Sequence, residues 1–187
     1  MKGYLLHLSE DGRIINCMSG PDSVLRAAEK EFEGNFLRVE EGYLATTHYV
    51  EEGELVSMPP PPNDWHNFDY KIKRWVPDME LGKELTKARI QKQYEEASLG
   101  GFEWGGVSLA SDRDSQVAIQ MAVSLGGESA ELAMVHGACH MIESKKELQA
   151  VGKALLDHLT ECVRRRAEAL QCVNDATTVG ELEAIEF

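Results

Sequence analysis

The stretch from Phe102 to Val123, FEWGGVSLASDRDSQVAIQMAV, constrains the fold more tightly than any other part of the chain. Phe102, Trp104, Val107 and Leu109 flank Gly105-Gly106. A two-residue Gly-Gly loop between alternating apolar residues predicts a tight β-hairpin, because both central positions of such a turn take positive φ. Directly behind it, Ser111 and Asp112 offer side-chain oxygens to the free N–H groups of a helix start, and Asp114 stands where the helix dipole favours an anion. An apolar run of Val117, Ile119, Met121, Ala122, Val123 and Leu125 continues as the helix. Asp112 and Asp114 are read as capping groups. A D-x-D pair without a glycine-bearing ligand loop is weak evidence for a metal or for acid–base chemistry.

The chain before this stretch reads as a series of short β-prone pieces. Residues Gly3 to Met18 predict a hairpin, with Tyr4, Leu6 and Leu8 on one face and Asp11-Gly12 at the turn. Gly20-Pro21-Asp22-Ser23 starts a short helix carrying Val24, Leu25, Ala28 and Phe32, which Gly34 stops. Strands are expected over Phe36–Val39, Leu44–Val50 and Glu54–Met58, separated by Glu41-Gly42 and Glu52-Gly53. Residues 1–58 therefore predict a small N-terminal antiparallel sheet with one helix. Pro59 to Pro62 cannot donate to a ladder or a helix and favour an extended polyproline II connector. Trp65, Phe68, Tyr70, Ile72, Trp75 and Val76 follow as an aromatic hairpin, so 59–78 is a proline-rich connector and hairpin.

Residues 79–187 predict a C-terminal α+β domain of helix, β-hairpin, helix, short strands and a long final helix. The first helix runs from about Met79 to Ser98, ended by Gly100-Gly101, and carries two rotated stripes: Leu81, Leu85 and Ala88, then Ile90, Tyr94 and Ala97. Leu81, Leu85, Ala88, Ile90 and Tyr94 are candidates for an inter-subunit face; burial against the chain's own sheet is the alternative. Two strands, Leu132–Val135 and Ala138–Ile142, surround His136-Gly137. Ser144 and Glu147 form a capping box that opens a helix bearing Leu148, Val151, Leu155, Leu159, Cys162, Leu170 and Val173, interrupted at Arg166. Continuous to Val173, it spans about 40 Å. Thr178 and Glu181 repeat the box before a last short helix.

Charge excludes some partners. Asp+Glu is 32 against Lys+Arg 19 in 187 residues, a net charge of -13 spread along the chain. Nucleic acid and anionic membranes reward clustered cations, so neither is expected as a partner. Arg164-Arg165-Arg166 lies inside the long helix, where consecutive residues fan around the axis. Cys17, Cys139, Cys162 and Cys172 lack the density of a disulfide scaffold, and reduced thiols are expected. No apolar run of about eighteen residues or signal-like start is present, which predicts a soluble product without membrane insertion.

The metal-like constellation is His136-Gly137-Ala138-Cys139-His140. Two imidazoles and a thiolate could ligate zinc with a fourth group from elsewhere, but a second ligand pair such as C-x-x-C is lacking, and packed or edge residues are the expectation. No serine nucleophile elbow, phosphate-cradling glycine loop or H-E-x-x-H occurs. The residues predict no catalytic group and no cofactor, hence a non-enzymatic protein.

The segments LTKARIQKQYEEA, FEWGGVSLASDRDSQVAIQMAV and ESKKELQAVGKALLDHL resemble a domain of unknown function that recurs in tailed-bacteriophage tail-fibre and tail-fibre assembly proteins. Phe102, Trp104, Asp112, Ser115 and Gln116 match its aromatic hairpin and acid-Ser-Gln helix start. HYVEEGELVSMPPPPNDWHNFDYKIKRWV is similar to the segment that often precedes it, and the two together cover about residues 45 to 185. The resemblance implies a structural component of a phage tail, at the fibre or baseplate, or alternatively a chaperone that binds the fibre during folding. It further implies tail-fibre or baseplate partners, a homo-oligomer with a trimer favoured, synthesis in the bacterial host cytoplasm and a place in the virion tail. The family pattern supplies no catalytic residues.

Overall fold

A computed structural model describes residues 2–31, 34–40 and 46–187. The chain is α+β and divides into two compact units, Met1–Asp78 and Met79–Phe187.

The first unit contains β1 (Lys2–Leu8), β2 (Ile14–Pro21), α1 (Asp22–Glu31), β3 (Asn35–Val39), β4 (His48–Glu51), β5 (Glu54–Ser57), β6 (His66–Asp69) and β7 (Arg74–Pro77). β1 is the centre of an antiparallel sheet of order β2-β1-β3. Adjacent side chains of a strand point to opposite faces, and here both faces are covered. Leu5 packs with Leu25 and Ala28 of α1, beside Met18 and Phe36. Leu6 packs with Ile14 and Val50, beside Leu37 and Leu55. The strands before the prolines thus do not form the one sheet expected from the sequence. β4 and β5 make a separate two-stranded ribbon whose Val50 and Leu55 cover the second face of the sheet. The expected Glu41-Gly42 turn, the start of the strand expected from Leu44, and Phe32 lie outside the described residues.

The prolines fall inside this unit. The indole N–H of Trp75 donates to the carbonyl of Pro59 at 2.8 Å, fastening the proline run to the β6–β7 hairpin. Phe68 sits among Tyr49, Tyr70 and Trp75 with ring centroids 5.3, 5.2 and 5.3 Å away, so the aromatic residues join this hairpin to β4.

The second unit contains α2 (Met79–Leu99), β8 (Phe102–Trp104), β9 (Val107–Leu109), α3 (Arg113–Ser124), β10 (Ala130–Ala133), β11 (Cys139–Ile142), α4 (Lys145–Asp175) and α5 (Val179–Glu183). Gly105 and Gly106 close the β8–β9 hairpin at φ 57° and 81°, both in the region the two-residue turn demands. An antiparallel bridge between Leu109 and Met134 joins this hairpin to the β10–β11 pair. α4 has 31 residues and is therefore about 46 Å long. Its first half presents Leu148, Val151 and Leu155 to Phe102 and Leu109 of the hairpin, Ile119 of α3, Leu132 and Ile142. Its second half pairs with α2. Lys83 reaches the carbonyl of Asn174 at 3.1 Å, and His158 Nε2–H donates to the carbonyl of Ala97 at 3.1 Å, so the two helices run antiparallel. Ile90, Cys162, Val173 and Leu182 are buried in this half.

The joint between α2 and the hairpin is tight. Gly101 has φ 111°, and a Cβ there would sit 2.3 Å from Val135 Cγ2 and 2.9 Å from the carbonyl oxygen of Leu109. Gly101→Ala is expected to lower stability by more than about 2 kcal/mol through backbone strain and overpacking. At Gly105 an added methyl meets nothing within 4 Å, so Gly105→Ala is expected to cost only about 1 kcal/mol. Urea unfolding followed by far-UV circular dichroism measures both, and equal losses would contradict the close packing at Gly101.

Candidate functional site

The motif residues of the hairpin and helix start come together at the end of α2. Ser111 is fully buried. Its Oγ–H donates to the carbonyl of Ser98 at 2.8 Å, and its oxygen accepts the N–H of Gly101 at 2.8 Å. Both are backbone groups at a helix C-terminus, where the last carbonyls lack partners within the helix. The sequence reading gave Ser111 and Asp112 the same task, capping α3, and the structure corrects it: Ser111 turns back to close α2, and Asp112 alone is the N-cap of α3.

Asp112 Oδ1 accepts the N–H groups of Asp114 and Ser115, each at 3.1 Å, and Oδ2 accepts the Ser115 hydroxyl at 2.8 Å. The Ser115 hydroxyl, with the backbone N–H groups of Ser115 and Asp114, holds the Asp112 carboxyl below the usual carboxylate range. Gln116 Nε2 donates to the carbonyl of Ser111 at 2.7 Å. Phe102 is buried, stacked on the His158 ring at a centroid distance of 6.1 Å, and Trp104 packs with the same core. Asp112 and Gln116 thus hold backbone, Ser115 holds the Asp112 carboxylate, and Phe102 and Trp104 pack in the core.

The zinc candidates do not converge. Cys139 and His140 are neighbours on β11, so their side chains leave opposite faces of the strand. The His140 ring packs edge-on to Trp104 at 6.1 Å, and His136 is exposed in the turn between β10 and β11. Among the described residues no group of three or more His, Cys, Asp or Glu gathers at metal-binding distance. Burial pushes the Cys162 thiol up, away from reactive thiolate character.

The candidate interface stripes of α2 separate. Leu81, Leu85 and Ala88 are exposed on one side. Ile90 is fully buried, and Tyr94 is half-buried with Arg166 Cζ 5.2 Å from its ring centroid. Ile90 is thus part of the unit's own core and unavailable to a neighbouring subunit, because α4 lies against it. The three arginines expected to fan around α4 do so. Arg164 bridges Glu161 and Glu168 at 2.6 and 2.5 Å, Arg165 reaches the carbonyl of Phe187, and Arg166 lies over Tyr94.

Sequence reading missed a groove between α3 and α4, about 460 Å³ in volume and lined by Gln116, Gln120, Val123, Gly152, Leu155 and Leu156 among others. The signal was present: the run from Val117 to Leu125 holds more apolar residues than one helix face can bury.

Residues 82–186, more than half of the chain and all within the second unit, match a domain of unknown function, DUF4376. The chain belongs to the DUF4376 family. No curated protein and no solved structure matches it. In this DUF4376 chain no helix among the described residues is long and apolar enough to cross a membrane.

The depressed pKa of Asp112 fixes the sign of a pH effect. A carboxyl with a lowered folded pKa contributes stability above its unfolded value, near ~3.9, and loses it as pH falls through the folded value. Asp112→Asn keeps a capping acceptor and removes the charge. It is expected to be less stable than the parent at about pH 7 and equal to it below the folded pKa. Urea midpoints across that range check this; a difference that persists in acid would assign the effect to geometry rather than charge.

Proposed function

We propose that this chain is a non-enzymatic structural component of a bacteriophage tail, a tail-fibre or baseplate-associated protein that mediates subunit assembly or fibre attachment. The observation that carries the non-enzymatic half is the use made of the motif. The hydroxyl of Ser111, the carboxylate of Asp112 and the amide of Gln116 all bind the chain's own backbone, closing one helix and opening the next. Polar groups committed in this way specify a scaffold, and function then lies in the surfaces the scaffold presents. The tail half rests on the resemblance of the aromatic hairpin, the acid-Ser-Gln helix start and the preceding proline and aromatic segment to tail-fibre and tail-fibre assembly proteins. Distributed acidity, with a net charge of -13, and a 31-residue helix suit a fixed position among other proteins. Its partners on this reading are tail-fibre or baseplate proteins and further copies of itself, with a trimer favoured, and it is made in the host cytoplasm and incorporated into the virion tail.

Quantitative mass spectrometry of purified particles from the phage or prophage that encodes the chain tests this reading. Stoichiometric copies in multiples of three or six, the multiplicities of cyclic tail symmetry, are expected. Absence from the particle, together with rescue of fibre solubility on co-expression, would replace it with the assembly-chaperone reading.

A further inference from the structure

α5 is fixed by buried Leu182 and by the capping box at Thr178 and Glu181. Residues 184–187, which follow it, are held in another way. Ala184 and Glu186 are exposed, and Ile185 and Phe187 are half-buried. Between this segment and α4 lies a cavity of about 710 Å³, with Ala169, Cys172 and Ala176 on its α4 side. The segment thus stands off the helix, and side chains reach across to hold it. Arg89 of α2 donates to the carbonyl of Ile185 at 2.8 Å, and Arg165 of α4 donates to the carbonyl of Phe187. The Phe187 ring has Arg165 Cζ 4.7 Å from its centroid and the Tyr94 ring edge-on at 6.4 Å.

Contacts of this kind at exposed positions are individually weak, so the segment opens more readily than the helices beneath it. What it leaves on opening is a formed seat, because Arg89, Tyr94 and Arg165 stand on α2 and α4, which are joined through buried Ile90, Cys162 and Val173. That seat is cationic on a chain of net charge -13. Arg164 is neutralised by Glu161 and Glu168, whereas Arg89, Arg165 and Arg166 form no ion pair among the described residues. A guanidinium carries several N–H donors in a rigid fork that meets a carboxylate with paired parallel bonds. The carbonyls of Ile185 and Phe187 take one donor each. The seat is therefore filled without being saturated: its ring site takes an aromatic side chain, and the donors left over match carboxylates.

We propose that Arg89, Tyr94 and Arg165 form a recognition seat for an acidic peptide segment carrying an aromatic side chain on a partner protein, and that residues 184–187 close it as a releasable strap. The chemistry of the occupant is read from the strap itself, whose Ile185, Glu186 and Phe187 bring an aliphatic, an acidic and an aromatic side chain to the seat. The inference goes beyond the tail reading and does not rest on it, because peptide binding by the purified chain and the content of a particle fail separately.

Amide chemical-shift titration of the isotope-labelled full chain with the amidated peptide EAIEFE tests the proposal, with far-UV circular dichroism to confirm the fold of each variant. In the parent chain the peptide is expected to move the amide signals of Ile185 and Phe187 as it displaces the strap. Phe187→Ala empties the seat and is expected to bind the peptide at least about tenfold more tightly than the parent does. Arg165→Gln added to that variant weakens binding at least about tenfold, and Lys146→Gln, about 28 Å away along α4, leaves it unchanged. Replacing the phenylalanine of the peptide with alanine abolishes binding. Ile185 and Phe187 signals that stay in place, a Phe187→Ala chain that binds no more tightly than the parent, or binding indifferent to Arg165 or to the aromatic ring of the peptide would each overturn the proposal.

Discussion

The hydroxyl of Ser111 takes the carbonyl of Ser98 and the N–H of Gly101, two backbone groups that no helix or strand would otherwise satisfy. A buried amide or carbonyl left without a partner costs about 1–3 kcal/mol, so the end of α2 can be buried only because a residue ten positions beyond Gly101 supplies both bonds. The same residue's carbonyl accepts Gln116 Nε2, and its neighbour Asp112 opens α3. One short stretch therefore fixes where one helix stops, where the hairpin turns back and where the next helix begins. The close contact of Gly101 with Val135 and Leu109 follows from the same joint.

α4 extends the effect of that joint through the second unit. Its first half packs on the hairpin and α3, and its second half pairs with α2. His158 stands where the halves meet, bonded to the carbonyl of Ala97 at the end of α2 and stacked on Phe102 at the start of β8. A helix that serves two packing partners in succession has to be long, which accounts for its 31 residues. It also explains why the apolar stripe is interrupted at Arg166. Part of that guanidinium is buried, its Cζ lying 5.2 Å from the Tyr94 ring centroid, an arrangement in which the ring face attracts the cation.

What the sequence made legible was local. The Gly105-Gly106 turn, the Asp112 cap and the box at Thr178 and Glu181 each join residues a few positions apart, and such pairs follow from residue type and spacing. The box at Ser144 was legible in part, since Glu147 reaches back to the N–H of Glu143 instead of that of Ser144. Long-range pairing was not legible. Spacing alone gives Ser111 to the nearer helix, whereas its partners lie ten and thirteen residues back. The two stripes of α2 looked equivalent until α4 covered Ile90 and left Leu85 exposed. Strand propensity places β4–β5 in one sheet with β1–β3, because it does not record which edge a strand pairs with. For the candidate site, the hairpin and the Asp112 cap were legible, while the groove beside α3 was not, since it exists only once two helices separated by two strands come into contact.

Native-state hydrogen exchange at the amide of Gly101, compared between the parent chain and Ser111→Ala, tests most directly whether this joint organises the second unit. The amide is expected to exchange only with global unfolding in the parent chain. Ser111→Ala is expected to abolish that protection and lower global stability by about 2 kcal/mol. An amide that exchanges freely in the parent, or a variant that leaves both protection and stability unchanged, would contradict the account.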